Sequence, residues 1–398
     1  IVKDYVRLQQ VRTREMFVPL THAPGKAQAD FGEAWVIVAS VKCKAHYFAM
    51  DLPQSDDCFV AAFPAETTEA FLEGHVRAFA YFGGVPRQIL YDNTKLAVAK
   101  ILGGGERKKT RAFSELQSHY LFEEKFGRPG KGNDKGKVEG LVGYTRRNFM
   151  VPIPRMGSWE ELNTYLLEQC GKRRERQLRG QEETIGERFE CDRTALLPLP
   201  EAAYEACEKR TARVSSLSLV RYRGNDYSVP TEYGHREVWV KGYVQEVLIA
   251  YGSEVIARHA RSYAREELVF DPRHYLALLE QKTGALDQAA PLVGWELPAC
   301  FSELRRLMEM RLNKGGRREY VQVLRLLETF QLEEVVPAIE QALHLGTISF
   351  DAVKHLLLCR IEQRPPRLDL ENYPHLPLAQ VRTTQPSEYM ALLGEVNS

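Results

Sequence analysis

Apolar residues crowd the stretch from 27 to about 63 in three runs, AQADFGEAWVIVAS, VKCKAHYFAM and DCFVAAFPA, with little between them. Short apolar runs parted by turn residues predict an antiparallel meander. The period then changes. Across ETTEAFLEGHVRAFAYFGG, residues Phe71, Leu72, His75, Val76, Phe79 and Phe82 recur at helical spacing, Gly83 and Gly84 supply a stop, and Pro86 follows. RQILYD reads as a short strand ending at Asp92, RAFSELQSHY as a helix and YLFEEKF as a strand, and a helix is predicted from about Asp134 to Phe149. The order (three strands, helix, strand, helix, strand, helix) predicts an α/β fold, a mixed five-stranded sheet with flanking helices. In such an order the first and fourth strands lie side by side.

Beyond residue 150 the pattern is looser. Ser158 with Glu161 makes a capping box for a helix that runs into the cationic GKRRERQLRG. Residues 180 to 210, with the run LLPLPE, read as an irregular linker. From Ser216 to Tyr263 short strands alternate with turn signals, and a small five-stranded barrel is expected. Trp239, between Val238 and Val240 in one of those strands, is expected in its core. Helical spacing returns from Pro272 to about Arg360, and the Pro-rich remainder is expected to be extended or disordered alone.

At 398 residues the chain exceeds one ordinary core, so two or three domains are expected. No apolar run approaches the ~20 residues that cross a bilayer, which predicts no membrane partner. The start, IVKDYVRLQQVRTREM, is amphipathic and charged rather than a signal peptide, and it lacks an initiator Met, as a numbering begun inside a longer chain would. Seven scattered cysteines form no C-x-x-C pair, which argues for a reducing compartment and against structural zinc or disulfides. Net charge is only +1, yet Lys95 to Met150 holds thirteen Lys/Arg against six Asp/Glu. That local excess points to a polyanion face.

The stretch GRPGKGNDKGKVEG, residues 127–140, surrounds one glutamate, Glu139, with five glycines and four cations. Asp30 lies in the first strand and Asp92 at the end of the fourth. The predicted topology brings these two together and packs the helix of Glu139 across the same edge. Carboxylates so grouped suit Mg²⁺ or Mn²⁺, and a pair of such ions suits in-line phosphoryl displacement. On the helical wheel Val138, Leu141, Val142, Thr145 and Phe149 form the core side, while Lys135, Glu139 and Arg146 share a rim. The glycines and lysines before the helix offer N–H groups and charge to phosphates. Asp134 reads as a helix N-cap, and Asp51, Asp56 and Asp57 as turn residues. A P-loop does not fit: Lys131 stands where its first Gly belongs, and Val138 follows Lys137 in place of Ser or Thr. The histidines form no ligand-spaced pair and read as structural or surface residues.

Three blocks in order, AQADFGEAW, AAFPAETTEAFLEGHVRAFAYFGGVPRQILYDNTKLAV and GRPGKGNDKGKVEG, resemble the DDE transposase/integrase superfamily. More narrowly they resemble the IstA-type transposases of bacterial insertion sequences that travel with an AAA+ ATPase helper. The resemblance covers residues 20 to 150 and implies an RNase H-like catalytic core with Asp30, Asp92 and Glu139 as catalytic, metal-binding triad. It implies two Mg²⁺ or Mn²⁺ ions, cleavage of transposon ends, and joining of their 3′-hydroxyls to target DNA. The implied partners are double-stranded DNA, at least a second protomer, and the ATPase; the implied location is the bacterial cytoplasm, at the nucleoid. Phe31 departs from the Trp common after the first aspartate. The gap of 46 residues between Asp92 and Glu139 is longer than in retroviral-type integrases, and LAVAKILGGGERKKT is expected to fill it as a basic hairpin. The family's N-terminal helix-turn-helix is not visible.

The expected division is a helical linker over 1–22, the catalytic domain over 23–152, a basic helical linker over 153–212, the barrel over 213–265, a helical domain over 266–362 and a tail over 363–398. Cations placed to meet DNA are Lys108, Lys109, Arg111, Lys131, Lys135, Lys137 and Arg146 around the core. In the barrel they are Arg236 and Lys241, with His235, Arg258 and Arg261 beside them. Two other readings stay open: a structure-selective nuclease on the same fold, and a non-catalytic DNA-binding protein.

Overall fold

The computed structural model describes residues 21–91, 96–101, 107–127, 136–312 and 314–362. Two compact units emerge, dividing between His274 and Tyr275.

The first unit opens with the predicted meander: β1 (Lys26–Val38), β2 (Val41–Leu52) and β3 (Asp57–Phe63). Ala39 and Ser40 take positive φ in the two-residue β1–β2 turn, the hand that matches strand twist. Helix α1 (Thr68–Phe82) follows, capped where the Thr67 side chain accepts from the Ala70 N–H. It stops at Gly83, which adopts φ 69° and donates its N–H to the last turn. Strand β4 (Gln88–Tyr91) then pairs parallel to β1. The expected excursion is a two-stranded hairpin, β5 (Val98–Ile101) with β6 (Arg107–Lys109). Helix α2 (Arg111–Tyr120), strand β7 (Glu123–Phe126) and helix α3 (Gly136–Asn148) complete the core.

The sheet order is β3-β2-β1-β4-β7, with β1, β2 and β3 antiparallel and β4 and β7 parallel to β1 and to each other. This is the order expected of an RNase H-like core. A sixth, two-residue strand, β8 (Arg155–Met156), joins the far end of β1. Both faces are covered, so β3 is buried throughout and is apolar from Cys58 to Phe63. One face packs Phe48, Phe71, Phe79, Phe82, Phe113 and Phe122 under α1 and α2. The other packs Val36, Tyr47, Val60, Leu141 and Phe149 with Leu162 and Leu166 of α4 (Trp159–Arg174). Leu141, Thr145 and Phe149 are buried, as the helical wheel requires; Asp134 and Lys135 lie outside the described residues.

Three expectations change here. The linker of 180–210 holds a helix, α5 (Ile185–Ala195), with its own capping box at Thr184. Only Ile185, Phe189 and Asp192 of it are buried, too few apolar positions to show a period in sequence. Asp51 is not in a turn: it lies within β2, buried. Asp56 and Asp57 do sit at the β2–β3 turn, but buried and paired with Arg188 at 3.0 Å and Arg174 at 2.7 Å.

The β-rich module is seven strands in two sheets rather than five in one barrel. β9 (Glu208–Arg213), β12 (Glu237–Gly242), β13 (Glu246–Tyr251) and β14 (Glu254–Ala260) form one. β10 (Leu219–Tyr222), β11 (Asn225–Ser228) and β15 (Leu268–Val269) form the other. Val220, Tyr222, Tyr227, Val238, Val240 and Ile249 make their shared core. Trp239 is not in it. Neighbours in a strand face opposite ways, so burying Val238 and Val240 turns Trp239 outward, 50% exposed. Arg261 is corrected too: its side chain is 3% exposed and paired with fully buried Glu69 of α1, so it cannot meet DNA.

The second unit is helical among its described residues: α6 (Leu276–Gln281), α7 (Ala299–Leu312), α8 (Lys314–Arg325), α9 (Leu332–Leu345) and α10 (Phe350–Ile361), with short 3₁₀ turns. Phe301, Leu304, Met308, Val321, Ile339 and Leu357 are buried in it. The Pro-rich tail lies outside the described residues.

Candidate active site

Asp30 sits partly buried in β1, where one carboxylate oxygen accepts from the Phe31 N–H at 2.9 Å. The next residue is Gly32, opposite Tyr47 on β2. A Cβ on Gly32 would lie 2.4 Å from the Tyr47 ring, so only glycine lets that ring cross β1 here. The crossing has a purpose: the Tyr47 hydroxyl donates to the Val142 carbonyl of α3 at 2.8 Å. One turn on, Arg146 Nε donates to the Glu33 carbonyl of β1 at 3.1 Å. Helix α3, whose backbone includes position 139, is thus pinned at two points to the strands flanking Asp30. Burial raises the Tyr47 pKa, Arg146 opposes that, and Asp30 adds to it, which sets all three in one electrostatic neighbourhood.

The fourth strand is fixed differently. β1 and β4 pair from Lys26↔Gln88 to Ala29↔Tyr91, the residues that precede Asp30 and Asp92 in the chain. Tyr91 is buried and shares a 2.8 Å hydrogen bond with His75 Nε2, while His75 Nδ1 lies 2.7 Å from the Phe71 carbonyl. A carbonyl can only accept, so Nδ1 carries the proton and Nε2 accepts from the tyrosine hydroxyl. Burial among Phe48, Phe71 and Phe79 drives the His75 pKa down to about 4, holding the ring neutral. Sequence reasoning passed over both Tyr47 and Tyr91. Each sits in an apolar run where a tyrosine reads as core, and only cross-strand register shows where its hydroxyl goes.

Asp92 and the side chain of Glu139 lie outside what is described, as do Lys131, Lys135 and the side chains of Lys108 and Lys137. Among the described residues no group of three or more His, Cys, Asp or Glu is placed to hold a metal ion. Other carboxylates do gather near Asp30. Glu66, in the turn before α1, has its pKa raised by burial, with Asp30 and Glu33 adding to the rise and His46 opposing it. A hydrogen bond from Lys44, 2.8 Å away, lowers that of Glu33.

The DNA-facing candidates divide. Arg146 is exposed beside the site, and Arg236 is exposed over the rings of Tyr233 and Tyr251. Lys109 is held by Glu124 at 2.8 Å and Gln117 at 2.6 Å, and Lys241 by Glu205 at 2.9 Å. Arg111 is 93% exposed and pairs one turn along with Glu115, a contact that water and salt weaken.

Residues 199–271, which span both small sheets, match the Mu transposase C-terminal domain family. A transposase of Aminobacter aminovorans is 34% identical over 380 residues, covering 92% of this chain and 73% of its own. The transposase for insertion sequences IS1326/IS1353 of Pseudomonas aeruginosa is 33% identical over 366 residues, covering 90% of this chain and 71% of its own. The IS21 transposase of the same organism is 33% identical over 259 residues, 64% of this chain and 65% of that one. Among solved structures the HTLV-2 integrase catalytic core aligns over 43% of this chain and 99% of its own, at 15% identity and a TM-score of 0.30, a likeness too slight to carry weight. No described helix is long and apolar enough to cross a membrane. The two relatives matched over nine-tenths of the sequence decide the matter: the chain belongs to the insertion-sequence transposases, and it is a DNA transposase.

Proposed function

We propose that the chain cuts transposon ends by hydrolysis and joins the freed 3′-hydroxyls to target DNA, with Asp30, Asp92 and Glu139 as the metal-holding residues. The observation that carries this reading is the pairing of β1 with β4 up to Ala29 and Tyr91, one residue before each aspartate, with the helix that includes position 139 tied to β1 and to its other neighbour, β2. The donor set fits a hard divalent cation, since carboxylate oxygens are what Mg²⁺ and Mn²⁺ take. Two such ions would activate the attacking oxygen and neutralise the leaving one.

The protein's own contribution is placement. The Phe31 N–H orients the Asp30 carboxylate, Tyr47 and Arg146 hold the helix, and the His75–Tyr91 pair anchors the end of β4. Arg146 offers charge to a phosphate beside the site. Joining two ends to two target strands needs two active sites, so a dimer or larger assembly on paired ends belongs to the proposal. So does an AAA+ ATPase helper that selects the target, and action in the bacterial cytoplasm.

Strand transfer with labelled end DNA tests the triad. Asp30→Asn, Asp92→Asn and Glu139→Gln should each abolish cleavage and joining while DNA binding stays within about threefold, because an amide keeps shape but loses charge for the metal. Ca²⁺ should support binding without chemistry. Substantial joining by any variant removes that residue from the site.

A further inference from the structure

A groove beside the β1–β2 hairpin shares Arg146 with the proposed site and adds an indole that cleavage does not use. Trp35 stands 52% exposed on the strand that bears Asp30, with the Lys42 ammonium 5.2 Å from its ring centre. Exposed Val151 and Ile153 line the groove together with Arg146 and Lys44, around about 460 Å³. Trp35 lies five residues from Asp30, about 16 Å along an extended strand. That is about five nucleotide steps of stacked DNA. The odd spacing turns the two side chains to opposite faces, so DNA touching both would round the β1 edge, which β4 pairs only up to Ala29 and β8 only from Ile37.

An indole left open to water among aliphatic neighbours marks a binding surface. The composition says for what. Charged residues are depleted at the centre of protein–protein interfaces, yet here Lys42 lies over the indole and Arg146 lines the same groove, while Lys44 and Glu33 engage each other. A cationic groove with an aromatic platform is how proteins hold unpaired nucleotides, with bases stacked and phosphates on Lys or Arg. We propose that this groove takes an unstacked nucleotide of the DNA strand flanking the scissile bond, the base on Trp35 and its phosphates at Lys42 and Arg146. The inference rests on the transposase reading and adds to it a strand-positioning contact away from the reacting atoms.

Two probes of one sequence test it by fluorescence anisotropy with the full chain: a blunt duplex, and the same duplex with three unpaired nucleotides at one end. The wild type should prefer the flapped DNA. Trp35→Ala should lower affinity for flapped DNA about tenfold, leave blunt-duplex affinity within about twofold, and melt with the wild type. Trp35→Phe, which keeps a stacking ring, should retain most of the preference, and Lys42→Gln should weaken it less than Trp35→Ala does. An unchanged ratio in Trp35→Ala, or no preference in the wild type, overturns the proposal. So does a Trp35→Ala chain that binds both DNAs normally but loses self-association, which would make the groove a protein contact. A wild type that binds neither DNA sinks the transposase reading itself, a result distinct from the loss of preference alone.

Discussion

The tightest constraint at the level of single residues is the contact of Gly32 with Tyr47. Gly32→Ala should destabilise the first unit by about 1–3 kcal/mol, the range for overpacking a filled core, and reduce joining because the Tyr47 tie to α3 shifts. Tyr47→Phe should cost about 1 kcal/mol by removing one hydrogen bond; urea denaturation of both variants checks the order. His75 sets a pH dependence. Its folded pKa, about 4, lies below its ordinary 6.5, so the unfolded chain takes up a proton that the folded chain refuses. Stability from this residue is complete above about pH 6.5 and falls as pH drops toward 4, by about 2 kcal/mol at pH 5. His75→Phe should be less stable at pH 7 but lose less between pH 7 and pH 5 than the wild type. A wild-type slope in that variant would show that the acid response comes from elsewhere, with partly buried His274, also pushed down to about 4, as first suspect.

At the level of elements, legibility followed the strength of the local pattern. The meander, α1 and α3 were readable because many apolar side chains repeat at one period. Helix α5 was not: IGERFECDRTA buries two apolar residues and an aspartate. It holds its place through polar contacts that no periodicity reports. Asp192 accepts from the Gly25 N–H at 2.8 Å and the Ser55 N–H at 3.1 Å. Asp192→Ala should therefore lower stability by about 1–3 kcal/mol, the penalty for stranding buried donors, and a cost under half a kcal/mol would mean water satisfies them. The outward Trp239 was missed for a related reason. Alternation says which residues share a face, while facing inward or outward is decided by the strands and sheets that pack around them. Of the proposed site, the strand of Asp30 and the helix that includes position 139 were legible as elements, and the Tyr47 tie from β2 to that helix was not.

At the level of the first unit as a whole, the six-stranded sheet with its helices and the small sheets share buried polar matter. Glu69 in α1 is fully buried and pairs with Arg261, which lies against the rings of Tyr222 and Tyr263. Val244, from the β12–β13 turn, belongs to the apolar cluster of the six-stranded sheet. Glu69→Gln should cost about 3–5 kcal/mol, since it leaves Arg261 buried without its partner, and calorimetry should show one transition for this unit moving as a whole. The pairing also limits how such genes can be recombined. A segment cut at residue 152 would abandon Glu69, Asp56, Asp57 and the N–H groups of Gly25 and Ser55 without their partners, so the smallest portable piece runs to about His274. Exchange of the two modules between relatives is then a matter of matching charge across a hidden seam, and chimaeras that swap Glu69 and Arg261 together should fold where those that swap one alone do not.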